Sequence, residues 1–180
     1  MNIKSLIALL TCGFLTAVCT TFMVSQAKAD DIRFICASGF DQSANKRFPT
    51  TYAWTPRGKI AVVRWKFSWF NNQNLPPEKR CQDVSSHFQT AYNKQSLSYI
   101  TNGTANGQGV ICTARQKDGA CDITLLTLRP SDDPLEILTD LKEILRGRGT
   151  GPIQHSSGKS QVYYHIDIDK FLQTAPTEKK

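Results

Sequence analysis

The chain of 180 residues lacks the short signatures by which many enzymes can be read. No GxxxxGK[ST] run is present to cradle a nucleotide phosphate, and no GxSxG to present a nucleophilic serine. No two cysteines stand at the CxxC spacing that a four-thiolate zinc site needs. There is no internal repeat and no composition shift that would mark a domain linker. No stretch interleaves dense Arg/Lys with stacking aromatics, which excludes a nucleic-acid groove as partner surface. Beyond residue 29 nothing is apolar enough to span a bilayer. These absences leave one domain with no motif for a cofactor or metal and no motif-bearing catalytic set.

What the chain does have begins at its N-terminus. "MNIK" is a positive n-region, "SLIALLTCGFLTAVCTTFMV" an uncharged apolar stretch, and "SQAKA" places small residues at Ala27 and Ala29. That layout predicts a secretory signal peptide over residues 1–29, cleaved after Ala29. The apolar run is long for such a leader, so a retained anchor is the alternative. A lipoprotein signal at Cys19 fits less well, because Val18 stands where a small residue is needed. Removing Lys4 and Lys28 with the leader leaves 20 basic against 15 acidic residues, a net charge of +5 spread along the chain. Such a balance suits weak attraction to an anionic membrane surface.

Cys12 and Cys19 belong to the leader, so Cys36, Cys81, Cys112 and Cys121 remain. An even number in an exported chain reads as two disulfides, for which four cysteines allow three pairings. A tight hairpin with Arg115 opposite Ala120 sets Cys112 and Cys121 diagonally, an awkward geometry for a bridge, whereas a wider loop brings them face to face. The favoured pairing is Cys36–Cys81 with Cys112–Cys121.

Along the exported part, "IRFICA" (32–37) reads as a strand and "SGFDQSANKRF" as a polar loop. "PTTYAWTPRGKIAVVRW" reads as a hairpin turning at Pro56–Gly58. Pairing Thr55 with Lys59 sets Tyr52, Trp54, Ile60 and Val62 on one face. A helix entered through Pro76 and Pro77 carries an apolar stripe of Cys81, Val84, Phe88 and Tyr92 with Ala91 beside it. The runs "LSYIT", "GVICTA" and "CDITLLTL" read as strands. A second helix, about 134–146, is capped by Asp132 or Asp133, buries Leu135, Leu138, Leu141 and Leu145, and stops at Gly147. "QVYYHIDI" alternates as a last strand, and "APTEKK" reads as solvated, with residues 173–180 as a disordered tail. The expected fold is α+β: one domain over 30–172, a mainly antiparallel sheet of about six or seven strands with two helices packed on it.

Three constellations invite a chemical reading. Within "LPPEKRCQDVSSHF", Cys81 and His87 are six residues apart, which on a helix leaves them about 120° apart around the axis. They cannot meet as nucleophile and base, so Cys81 is expected in a disulfide and His87 at the surface. In "HIDID", strand alternation puts His165, Asp167 and Asp169 on one face, and all three are metal-ligand types. The plain reading is a polar exposed face, and the alternative is a metal-dependent hydrolase that uses this trio or His155. A redox-active pair at Cys112 and Cys121 is a third reading, which requires an exposed or easily reduced bridge. "RGRG" (146–149) is a helix end running into a loop, and "TNGTANGQG" (101–109) leads into a strand where a phosphate loop would open a helix. "NGT" (102–104) matches a glycosylation sequon.

Four phrases, "PTTYAWTPRGKI", "RCQDVSSHFQ", "SYITNGTANGQGVICTA" and "LLTLRPSDDPLEILTDL", together resemble the COP23 (circadian oscillating protein 23) family of exported cyanobacterial proteins. The resemblance runs from about Phe34 to Leu172, and all four remaining cysteines fall where that family carries cysteine. His87 stands where Arg is expected in such proteins, and Gly109 where Pro is common. The resemblance implies export, peripheral membrane association with an unidentified protein or membrane-surface partner, and rhythmic abundance. It brings no catalytic residues, so the chain is expected not to be an enzyme.

Overall fold

The computed structural model describes residues 32–66, 76–147 and 161–178. The expected leader, His155 and most of residues 146–160 lie outside them. The described residues form seven strands and three helices, with both sheets antiparallel, an α+β domain. The strands divide into two sheets. Sheet A holds β1 (Arg33–Asp41), β2 (Lys46–Thr55) and β3 (Gly58–Arg64) in the order β1-β2-β3. Sheet B holds β4 (Tyr99–Ala105), β5 (Gln108–Ala114), β6 (Cys121–Thr127) and β7 (Tyr163–His165) in the order β6-β5-β4-β7.

Helix α1 (Pro77–Asn93) links the sheets in sequence and in space. Pro76 and Pro77 start it, where a missing N–H costs nothing, and Glu78 complements the positive end of its dipole. Its buried stripe is Cys81, Val84, Ser85, Phe88 and Ala91. Phe88 stacks on Phe34 of β1, ring centroids 5.4 Å apart. Helix α2 (Pro134–Leu145) is capped by Asp133, whose carboxylate accepts from the Leu135 and Glu136 amides at 2.8 and 3.4 Å. It buries Leu138, Leu141 and Leu145 and ends at Gly147, φ +69°, a left-handed position suited to glycine. Both helices, with Ile60, Val62, Ile100, Ile111 and Leu125, close one core between the sheets.

Four sequence expectations change. The polar loop after Cys36 is shorter than expected: β1 runs on to Asp41 and β2 starts at Lys46, and the Asp41 carboxylate closes the turn by accepting from Ser43 and Ala44. The β2–β3 register is one residue tighter, with Thr55 opposite Gly58 and Trp54 opposite Lys59. Ile60 therefore pairs with Ala53 on the core face, and Trp54 turns outward, 42% exposed. The last strand stops at His165, and a third helix, α3 (Ile168–Thr174), follows it. Asp167 caps α3 by accepting from the Lys170 amide at 2.9 Å, which pulls "IDID" out of strand alternation. Finally, residues 173–178 are not a solvated tail. Ala175 is buried, and Glu178 donates its amide to the Lys59 carbonyl at the free edge of β3.

Cys36 is bridged to Cys81, tying β1 to α1, and Cys112 to Cys121, tying β5 to β6. The second bridge forms although Ala114 stands opposite Cys121, the register of the tight hairpin. An irregularity between Cys112 and Ala114 brings the diagonal pair to a Cα separation of 5.6 Å. Gly103 on β4 leaves room for this bridge, since a Cβ there would lie 2.8 Å from the Cys121 sulfur.

Candidate functional site

The outer face of sheet A departs from the pattern of a half-buried antiparallel sheet, whose solvent side is normally polar. Alternation along β1 and β2, in the observed register, sets Arg33, Trp54 and Lys59 in one cross-strand row and Ile35, Tyr52 and Ala61 in the next. The helices join the core on the other side. Trp54 lies between two cations, the Arg33 guanidinium 5.6 Å and the Lys59 ammonium 5.4 Å from its ring centroid. Lys59 also stands 5.7 Å from the Tyr52 ring. Cation–π attraction of this kind fixes the row while the indole stays partly open to solvent.

Further along the face a network of ion pairs takes over. Arg64 on β3 reaches Asp41 at 3.5 Å and also pairs with Glu178. Lys66 sits 2.6 Å from the same Asp41 carboxylate. Hydrogen bonds from Lys66, Ser43 and the Ala44 amide hold the Asp41 carboxyl well below the usual carboxylate range. Tyr52 is fully buried but outside the hydrophobic core, because the C-terminal segment covers it and its hydroxyl donates to Glu178. Burial, and then the Glu178 carboxylate, push its phenol up to about 12.

The depressed carboxyl has a measurable consequence. Asp41 is more acidic folded than unfolded, so its contribution to stability is complete above its ordinary value of 3.8 and is lost as pH falls below it. Stability measured by urea unfolding should therefore fall more steeply below that pH in the wild type than in Asp41→Asn, and the two slopes should agree at neutral pH.

A cavity of about 570 Å³ opens beside this network, between the free edges of β3 and β6 over α2. Val63, Trp65, Leu126, Leu128 and Ile137 give it apolar walls, and Arg80 lies 4.4 Å from the Trp65 ring. Burial and the nearby Arg129 lower the Arg80 pKa, while burial and then Glu136 raise that of Asp140 on the same wall. The described lining holds no thiol or imidazole.

The residues singled out from the sequence are dispersed. Cys81 is in its bridge, and His87 on α1 points a ring nitrogen at the Leu125 carbonyl, 3.5 Å away. His165 packs edge-on against Tyr99, Asp167 caps α3, and Asp169 lies in the first turn of α3. Their shared strand face does not exist. Among the described residues no group of three or more His, Cys, Asp or Glu is placed to hold a metal ion. His155 is outside the described residues. Cys112 is fully buried and Cys121 exposed. Asn102 of the sequon accepts from the Val162 amide at 2.9 Å, within sheet B. Residues 101–109 form the β4–β5 hairpin, turning at Asn106 and Gly107 with positive φ. Sequence reasoning missed the outer face of sheet A as a site, although the basic residues flanking Trp54 become a signal once the register is known.

The fold and this face define a disulfide-braced, two-sheet α+β domain with an aromatic, basic surface and no helix in the described residues long and apolar enough to cross a membrane. A family model described as Circadian oscillating protein COP23 matches residues 33–173, and the chain belongs to that family. Neither a curated protein nor a solved structure matches it.

Proposed function

We propose that this chain is an exported, non-catalytic protein that docks peripherally on an anionic membrane surface through the outer face of sheet A and there meets a protein partner. The row of Arg33, Trp54 and Lys59 carries this reading. An exposed indole between two cations suits the headgroup layer, where the ring takes up the interfacial region and the cations meet lipid phosphates. Two disulfides are compatible with an oxidising, exported environment. The family's description as circadian oscillating extends to this chain as a daily rhythm in its abundance.

Co-sedimentation of the exported form with vesicles of phosphatidylglycerol and phosphatidylcholine tests the docking. Binding should be salt-sensitive and absent on phosphatidylcholine alone. Each cation near the surface contributes about 1 kcal/mol, so Arg33→Gln with Lys59→Gln should weaken binding about 30-fold. In cells, carbonate washing should release the protein from membranes. Recovery solely as a free soluble monomer would contradict the proposal.

A further inference from the structure

The C-terminal segment reaches the proposed docking face by a defined route. Arg57 in the β2–β3 turn donates to the Leu172 carbonyl at 3.2 Å and to the Ala175 carbonyl at 3.3 Å. Ala175 is buried beside Gly147, and Thr177 stands against Gly58. The Glu178 amide then donates to the Lys59 carbonyl at 2.8 Å, so the segment crosses the free edge of β3. Its last described side chain turns onto the outer face of sheet A. One Glu178 carboxylate oxygen accepts from the Tyr52 hydroxyl and the other from the Arg64 guanidinium.

Two donors from neighbouring strands therefore converge on one oxyanion. Arg64 gives a second nitrogen to Asp41, which Lys66 also neutralises, so a different nitrogen is left to meet Glu178. Guanidinium and hydroxyl together suit a phosphate as well as a carboxylate. Departure of Glu178 uncovers the Tyr52 hydroxyl and the Arg64 guanidinium together, a pair of donors that another anion can take. Lys59, within reach of both the Tyr52 and Trp54 rings, connects this position to the exposed row.

We propose that Arg64 and Tyr52 form a binding position for an anionic lipid headgroup, and that Glu178 occupies it in cis, restraining membrane docking until a headgroup displaces it. This rests on the docking reading above and adds its regulation. Glu178→Gln removes the competing charge and keeps an acceptor oxygen for the segment.

The exported full chain is titrated with phosphatidylglycerol/phosphatidylcholine vesicles as wild type, Glu178→Gln, Asp118→Asn, Arg64→Gln, and Arg64→Gln with Glu178→Gln. Asp118 lies exposed in the β5–β6 loop at φ +63°, which Asn accepts, so it makes the same change in net charge away from sheet A. Near-ultraviolet circular dichroism checks that each variant is folded. Glu178→Gln should bind about fivefold tighter than wild type. Asp118→Asn should change binding less than about twofold, since that loop belongs to sheet B and salt screens an exposed charge beyond its neighbourhood, and in the Arg64→Gln background Glu178→Gln should add nothing. An equal gain from Asp118→Asn would reduce the effect to net charge and overturn the inference. So would a gain that survives loss of Arg64, or wild-type binding that Glu178→Gln leaves unchanged, and in both cases the docking reading stands. If neither wild type nor Glu178→Gln sediments with vesicles, both readings fall.

Discussion

Replacing Cys36 and Cys81 together by alanine is expected to lower the unfolding free energy by about 4 kcal/mol. The bridge closes a loop of 45 residues, and the entropy removed from the unfolded chain grows with the logarithm of that length. The same relation gives about 2.5 kcal/mol for Cys112–Cys121, whose loop spans 9 residues. Position should add to this ranking. Cys81 is fully buried, and its bridge fixes the start of α1 against β1, beside the Thr51 hydroxyl, which the Trp65 indole meets at 3.1 Å and the Ser85 hydroxyl at 3.3 Å. Domains of this kind have a total stability of about 5–15 kcal/mol, so loss of the first bridge should remove a large share of it. Urea unfolding of the two double variants under non-reducing conditions measures both numbers. A larger loss from the Cys112/Cys121 variant would contradict the ranking.

Phe88→Ala should cost about 4 kcal/mol, within the range for emptying a buried aromatic site. Phe88 is fully buried and stacks on Phe34, which Tyr92 also meets at 5.8 Å. The cost of such a cavity depends on how far its walls can close. Here the walls are β1 and α1, and the Cys36–Cys81 bridge holds them together nearer the start of the helix. Removing the bridge should let α1 settle into the space. The triple variant should then lose less than the sum of the separate losses, a coupling that equilibrium unfolding reads directly. Additive losses would show that the helix does not shift.

How much of this was legible in the sequence differs from element to element. The stripe of α1 and the cap and leucines of α2 stand in the sequence as periodicity and local chemistry, and both helices form as those signals predict, although Tyr92 and Leu135 at the stripe ends are only half-buried. The β2–β3 register was not legible, because Ala53 and Tyr52 are both fully buried, one in the core and one under Glu178. With both faces of β2 covered in part, alternation does not distinguish the tight turn from one a residue wider. "HIDID" misled for a related reason: period-two spacing of Ile and Asp imitates a strand, while the capping role of Asp167 depends on the helix that begins at Ile168. The candidate site was hidden by distance along the chain. Tyr52 and Glu178 are 126 residues apart, and only the fold brings that carboxylate onto sheet A. Exposure of Trp54 depends in turn on a register one residue tighter than the apolar pattern suggests.

The docking of sheet A on an anionic membrane surface is tested most directly by the depth of Trp54. Vesicles containing phosphatidylglycerol brominated along its acyl chains should quench the tryptophan emission of the bound protein, since the indole of Trp54 would lie at the headgroup boundary. With Trp69 replaced by Phe in both proteins, Trp54→Phe should remove most of that quenching while Trp65, buried in the core, continues to emit. Equal quenching in the two proteins, or sedimentation with vesicles and no quenching in either, would contradict docking through this face.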